Sequence, residues 1–143
     1  MIILDTDCVS LLERDNSAAQ ILRGRLAGIS PLEVATTIIT FEEQMRGWLA
    51  YLAKARTIEQ QIVAYERLNR FLNNYRLIPV LPFDAGSAFE FSRLRSLKIR
   101  VGSMDLKIAS IALANNALLI TRNLSDFEQI PQLRVEDWTS PQA

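Results

Sequence analysis

Short apolar runs alternate along this chain with longer segments in which apolar residues return every three or four positions. The first run, Ile2-Ile3-Leu4, stops abruptly at Asp5-Thr6-Asp7 and predicts a strand over 2–5. Helical periodicity follows near 7–14 and 16–27, and Gly28 and Pro31 punctuate the loop after it. Val34–Ile39 is β-branched and threonine-rich, which suits a short buried strand or the approach to a helix. From Trp48 to Ile78 there is neither glycine nor proline. Apolar residues recur there and just before as Phe41, Met45, Trp48, Leu49 and Leu52, then as Ile58, Ile62, Tyr65, Leu68 and Leu72. Two long helices are predicted, breaking near Arg56–Thr57 with Thr57 as N-cap. Leu77–Leu81 reads as a strand, Asp84 as the cap of a helix to about Leu97, and Ser103 as the cap of another to Asn116. Leu118–Thr121 and Leu133–Val135 read as the last strands, before a polar tail at 139–143.

Strands that alternate with helices, each strand short and apolar on both faces, imply an α/β fold: a three-layer α/β/α sandwich with a short, mostly parallel sheet. Ligands bind such sheets outside the carboxyl ends of the strands. Asp5 ends the first strand and Thr121-Arg122-Asn123 ends a later one, so both are expected at one edge. No repeat, low-complexity segment or linker divides the chain, and residues 1–143 are read as one domain.

Composition narrows the chemistry. The hydrophobic fraction of 49% suits an ordinary globular protein. No apolar run approaches the ~18–20 residues that span a bilayer. The first apolar run is broken at Asp5, unlike that of a signal peptide. Cys8 is the only cysteine, so a reducing, cytoplasmic setting is expected. Sixteen basic and sixteen acidic residues cancel, so nucleic-acid binding would have to come from a local patch. Histidine is absent altogether. Ser-His-Asp and Cys-His sites, histidine-based ribonuclease chemistry and imidazole zinc sites are thereby excluded. Carboxylates are the obvious reactive groups left.

Four places set an acid or amide where a strand ends or a helix begins: Asp5 with Asp7, Glu42-Glu43, Asp105, and Asn123 with Asp126. Each has a structural explanation. Asp7 suits an N-cap, Thr40-x-x-Glu43 matches a capping box, Asp105 suits a helix first turn, and Asn123 and Asp126 suit a turn before a helix. Together they imply more. Carboxylates converging on a half-buried pocket repel one another unless positive charge arrives, and no lysine or arginine adjoins Asp5 in sequence. An oxygen-only set favours a hard divalent cation, Mg²⁺ or Mn²⁺.

Four segments, in order, carry a resemblance: ILDTD, TFEEQMRG, GSMDLKIASIALANNALLITRN and SDFEQIPQLRVEDW. The chain resembles the PIN-domain ribonucleases, and within them the VapC toxins of bacterial toxin–antitoxin pairs. The resemblance places the family's acidic quartet on Asp5, Glu43, Asp105 and a fourth position at Asn123 or Asp126. Thr40 and Gly47 select Glu43 over Glu42. It makes Asp5, Asp105 and Glu43 the expected metal ligands, with Thr6 near the attacking water. Family members often have Asn where this chain has Asp7 and Leu where it has Gln44; Asp7 is expected to add charge to the site.

The resemblance implies Mg²⁺-dependent hydrolysis of RNA phosphodiesters, leaving a 5′-phosphate and a 3′-hydroxyl. Lys98, Arg100 and Lys107 are the candidates for phosphate contact. Trp48, Tyr51, Leu52 and Tyr65 are candidates for a dimer face or a groove for an antitoxin helix. By resemblance the partners are an RNA substrate, a cognate VapB-like antitoxin and a second copy of the chain. Two other readings stay open: a PIN-type nuclease of RNA maturation without a toxic role, and a non-catalytic α/β protein-interaction module.

Overall fold

The computed structural model describes residues 1–141; Gln142 and Ala143, at the end of the expected polar tail, lie outside the described residues. Five strands form one sheet in the order β3-β2-β1-β4-β5, every neighbouring pair parallel. They are β1 (Ile2–Leu4), β2 (Val34–Thr37), β3 (Val80–Leu81), β4 (Leu118–Ile120) and β5 (Arg134–Glu136). The α-helices are α1 (Thr6–Leu11), α2 (Ser17–Leu26), α3 (Ile38–Ala53), α4 (Ile58–Tyr75), α5 (Ala85–Ser96), α6 (Ser103–Ala114) and α7 (Leu124–Phe127).

Strand alternation sorts the core into two layers. Ile3 and Leu119 face one way, onto Ile39, Leu94, Ile108, Ile111 and Phe127. Ile2, Leu4 and Ile120 face the other, onto Cys8, Leu11, Ala19, Leu22 and Trp138. Helices thus cover both faces of the sheet, as the fold class predicts. Strand order reverses between β1 and β4, the point where such sheets open a crevice at their carboxyl edge.

Several boundaries move, each for a local reason. The first helix stops at Leu11 rather than near 14, and the Arg23 guanidinium takes up the freed carbonyls of Leu12 and Arg14. The strand expected over Leu77–Leu81 shrinks to Val80–Leu81. Pro79 has no N–H to give a ladder; its carbonyl accepts from the Thr36 amide at 3.0 Å, and Leu77 is left exposed. Ser103 is the first helical residue rather than a cap, Gly102 standing before it without a side-chain hydrogen bond. The capping box lies at Thr57/Gln60, as the Thr57 expectation requires, and not at Thr40/Glu43. Thr37 caps α3 instead, so Thr40 sits one turn inside the helix. The tail is not wholly polar in its setting: Thr139 is buried, its amide and hydroxyl both donating to Asp137.

Candidate active site

The carboxyl edge of the sheet collects the acids. Asp5 follows β1 directly, its amide donating to the Ile120 carbonyl of β4 at 3.1 Å. It, not Asp7, is the N-cap of α1: its Oδ1 accepts from the Cys8 amide at 2.9 Å. Only 5% of Asp5 is exposed, and burial pushes its carboxyl up, offset in part by the Thr121 hydroxyl and by Cys8. The Cys8 thiol is pushed far up by the same burial and by Asp5, which leaves it a neutral packing group.

Asp105 enters from the first turn of α6 and is pushed up to about 6. Burial is the largest cause, followed by the charges of Glu43, Asp5 and Asp126. The charges of three acids, Glu43 on α3, Asp5 just after β1 and Asp126 on α7, thus reach Asp105, and among the described residues no cation opposes them there.

Glu43 is held from across the site. The Thr6 hydroxyl donates to its Oε1 at 2.6 Å and lies 3.1 Å from the Thr40 hydroxyl. Thr40 in turn packs against Thr37, and Thr36 donates to the Leu4 carbonyl at 2.9 Å. A belt of buried threonines thus joins the ends of β1 and β2 to the start of α3. Glu42 points elsewhere and pairs with Arg46.

The two candidates for the fourth position are bonded to each other. The Asn123 amide donates to Asp126 at 2.9 Å, and the Asp126 charge reaches Asp105. Asn123 makes no side-chain cap for α7. It orients the acid.

Asp7 is paired, not free: the Arg122 guanidinium grips it through Nε at 2.6 Å and Nη2 at 2.9 Å, holding the Asp7 carboxyl below its ordinary value, while its charge still adds a little to the upward push on Asp5. The pair joins α1 to the end of β4. A group with a lowered folded pKa stabilises above its unfolded value and loses that contribution as pH falls through its folded value. Asp7→Ala is therefore expected to cost about 0.5–1 kcal/mol at pH 7, less in high salt and progressively less as pH falls below the ordinary carboxylate range, by chemical denaturation across pH and salt.

The phosphate-contact candidates divide. Lys98 and Arg100 are exposed in the loop leading to α6 and form no salt bridge among the described residues. Lys98 has φ 54°, ending α5 in the left-handed conformation. Lys107 is half-buried, its ammonium 5.7 Å from the centre of the Phe91 ring. The partner-face candidates also divide. Tyr65 lines an apolar groove of about 330 Å³ between α3 and α4, with Phe41, Met45, Leu49 and Leu72. Trp48 and Tyr51 instead turn toward the end of α1, and Leu52 is half-buried.

Sequence reasoning missed Arg122, Asn123 as the holder of Asp126, and the threonine belt. Arg122 and Asp7 are 115 positions apart. The signal available was their placement at two strand ends on one sheet edge.

Among the described residues no three acidic, cysteine or histidine side chains stand at the spacing of a preformed metal site. The local bonds account for this. Asp5 is occupied with Cys8, Glu43 with Thr6 and Asp126 with Asn123, as befits carboxylates that repel one another. The donor set still fits a hard divalent cation in kind: carboxylate oxygens, with burial first and neighbouring negative charge second holding Asp105 near 6.

Known proteins are similar to this chain. "Ribonuclease VapC1" of Haemophilus influenzae is 29% identical over 138 residues, 96% of this chain and 97% of that protein. "Ribonuclease VapC2" of Rickettsia felis is 33% identical over 91 residues, 61% of this chain; that match spans 63% of the relative's length. The crystal structure of VapBC2 from Rickettsia felis, bound to a DNA fragment from its promoter, superposes with a TM-score of 0.71 at 27% identity, covering 96% of this chain and 99% of that one. The model of the PIN domain matches residues 2–133, and with that match, the parallel sheet and the acids at its carboxyl edge, the chain belongs to the PIN domain family.

Proposed function

We propose that the protein is a Mg²⁺-dependent endoribonuclease, Mn²⁺ being an alternative ion, and the toxin of a toxin–antitoxin pair. The observation that carries this is Asp105, half-buried within the fields of Glu43, Asp5 and Asp126, with no cation opposed to it among the described residues. The names of the VapC relatives support RNA as substrate, and the VapBC complex supports a VapB-like antitoxin as partner.

Asp5, Asp105 and Glu43 would hold the ion. When bound, it supplies Lewis acidity toward a phosphate oxygen and makes water acidic enough to ionise near neutral pH. Thr6 fixes the Glu43 carboxylate at 2.6 Å, leaving that carboxylate able to orient water or accept its proton. Asp5, bonded to the Cys8 amide, is rigid on the most central strand. Asn123 holds Asp126 through its amide, and the Asp126 charge reaches Asp105. Lys98 and Arg100 offer exposed positive charge to an RNA backbone on the loop into α6. The groove between α3 and α4, with Leu49 and Tyr65 about half exposed, suits an apolar partner segment or a second copy of the chain.

Purified protein with Mg²⁺ is expected to cut cellular RNA to fragments with 5′-phosphates, and EDTA to stop it. Mg²⁺ is also expected to raise the melting temperature, since a ligand confined to the native state must stabilise it. Cleavage that persists in EDTA, or none against total RNA, would sink the reading.

A further inference from the structure

Helices α1 and α3 run side by side from the acidic centre, tied at two successive rungs. Thr6 donates to Glu43 at 2.6 Å, and one turn further the Gln44 amide donates to the Ser10 hydroxyl at 2.9 Å. Beyond the second rung the helices part, leaving a cleft of about 480 Å³. Gly47 and Trp48 line it from α3, and Glu13 and Arg14 from the turns that follow α1.

The cleft is open where packing does not require it to be. A Cβ built on Gly47 meets no atom within 4 Å, although glycine inside an exposed helix is less stable than alanine. Trp48 is braced from behind. Its ring meets Tyr51 edge-on at 5.9 Å, and the Arg67 guanidinium covers Tyr51 at 5.1 Å. The polar walls are committed too. Gln44 accepts from the Tyr75 hydroxyl as well as bonding Ser10, and Glu13 accepts from Asn74 at 2.6 Å. Arg14 is exposed and forms no salt bridge among the described residues.

We infer that this cleft seats one unpaired nucleobase of the RNA, stacked on Trp48 over Gly47, beside the acids that cut the strand. The inference rests on the ribonuclease reading. An aromatic face next to an open floor is what an unstacked base requires, because every base presents a π-face. Arg14 at the rim meets the phosphate beyond it. Continuity with the Glu43 rung sets the base one turn, ~6 Å, along α3 from the reacting centre.

The test uses the full chain in EDTA, with fluorescein-labelled single-stranded oligoadenylate, oligocytidylate and oligouridylate as probes; fluorescence anisotropy of the label reads the affinity of every variant, and tryptophan fluorescence adds a second readout for wild type. Trp138 is buried in the core, so quenching reports Trp48. Wild type should be quenched on binding, and Trp48→Ala should bind about tenfold more weakly. Gly47→Leu, which fills the floor, should also bind about tenfold more weakly while melting no earlier than wild type. If Gly47→Leu melts earlier, Trp48→Ala decides. Unchanged RNA affinity in Trp48→Ala overturns the base site and leaves the ribonuclease reading standing. Failure of wild type to bind any of the three overturns the base site, while cleavage of total RNA with Mg²⁺ decides the ribonuclease reading separately. A variant that keeps RNA affinity but loses a co-purifying protein partner makes the cleft a protein interface, which also overturns the proposal.

Discussion

Asp105→Asn is expected to abolish RNA cleavage, lowering kcat by ~10³-fold, while making the metal-free protein more stable at neutral pH. The two effects have one origin. Asp105 is held at about 6 in the folded chain against an ordinary 3.8, by burial first and then by Glu43, Asp5 and Asp126. The folded state therefore binds this proton more tightly than the unfolded chain does. Stability is fully present below about pH 4 and declines as pH rises from there through about 6. Asparagine keeps the shape and removes the charge, so the variant escapes that decline. A rise from 3.8 to about 6 corresponds to at most ~3 kcal/mol, and partial exposure reduces the expected gain to about 1–2 kcal/mol at pH 7.5. The gain should shrink to nothing near pH 4. Mg²⁺ should reverse the order, stabilising wild type and leaving Asp105→Asn nearly unmoved. Urea titrations at pH 4 and 7.5, with and without Mg²⁺, read all four corners. A variant less stable than wild type in EDTA at pH 7.5 would mean that the Asp105 charge is already neutralised within the protein.

The layers of the fold were legible because each β segment is short and apolar on both faces while the helices are periodic. Ile2-Ile3-Leu4 and Leu118–Ile120 are such strands, and they pair side by side. Sheet-edge logic places Asp5 and the Thr121-Arg122-Asn123 segment together without knowledge of any contact. What the sequence could not carry is direction within an element. Thr40-x-x-Glu43 satisfies a capping box on paper, yet the helix begins one turn earlier because Thr37, ending β2, takes the cap. That shift frees Glu43 to turn to Thr6. Asp7 likewise passes for a cap, although Asp5 caps α1, and its pairing with Arg122 from the end of β4 is invisible in the sequence. Trp48, Tyr51 and Tyr65 share an apolar rhythm, but Trp48 and Tyr51 of α3 line a cleft against the end of α1 while Tyr65 of α4 lines the groove between α3 and α4. Periodicity fixes a face only when the neighbouring helices are known.

Thr6→Val is expected to lower kcat by roughly 10–100-fold with KM nearly unchanged, because the residue acts by holding another. Its hydroxyl is 2.6 Å from Glu43 Oε1, and no lysine or arginine pairs with that carboxylate among the described residues. Valine has the same shape and no donor, so the helix start survives while Glu43 is released toward solvent by repulsion from Asp105. A displaced carboxylate holds and orients water poorly, and a misplacement of about 1 Å is enough for such a loss. Thr6→Ser restores the donor and should recover most of the rate, which separates holding from bulk packing. The adjacent acid supplies the control. Glu42→Gln should cleave RNA as wild type does, since Glu42 pairs with Arg46 on the outer side of α3, whereas Glu43→Gln should lose ~10²-fold or more. Equal losses at 42 and 43 would mean that α3 is turned about its axis in the working enzyme. A wild-type rate in Thr6→Val would mean that Glu43 is placed by the bound ion and substrate and not by the protein.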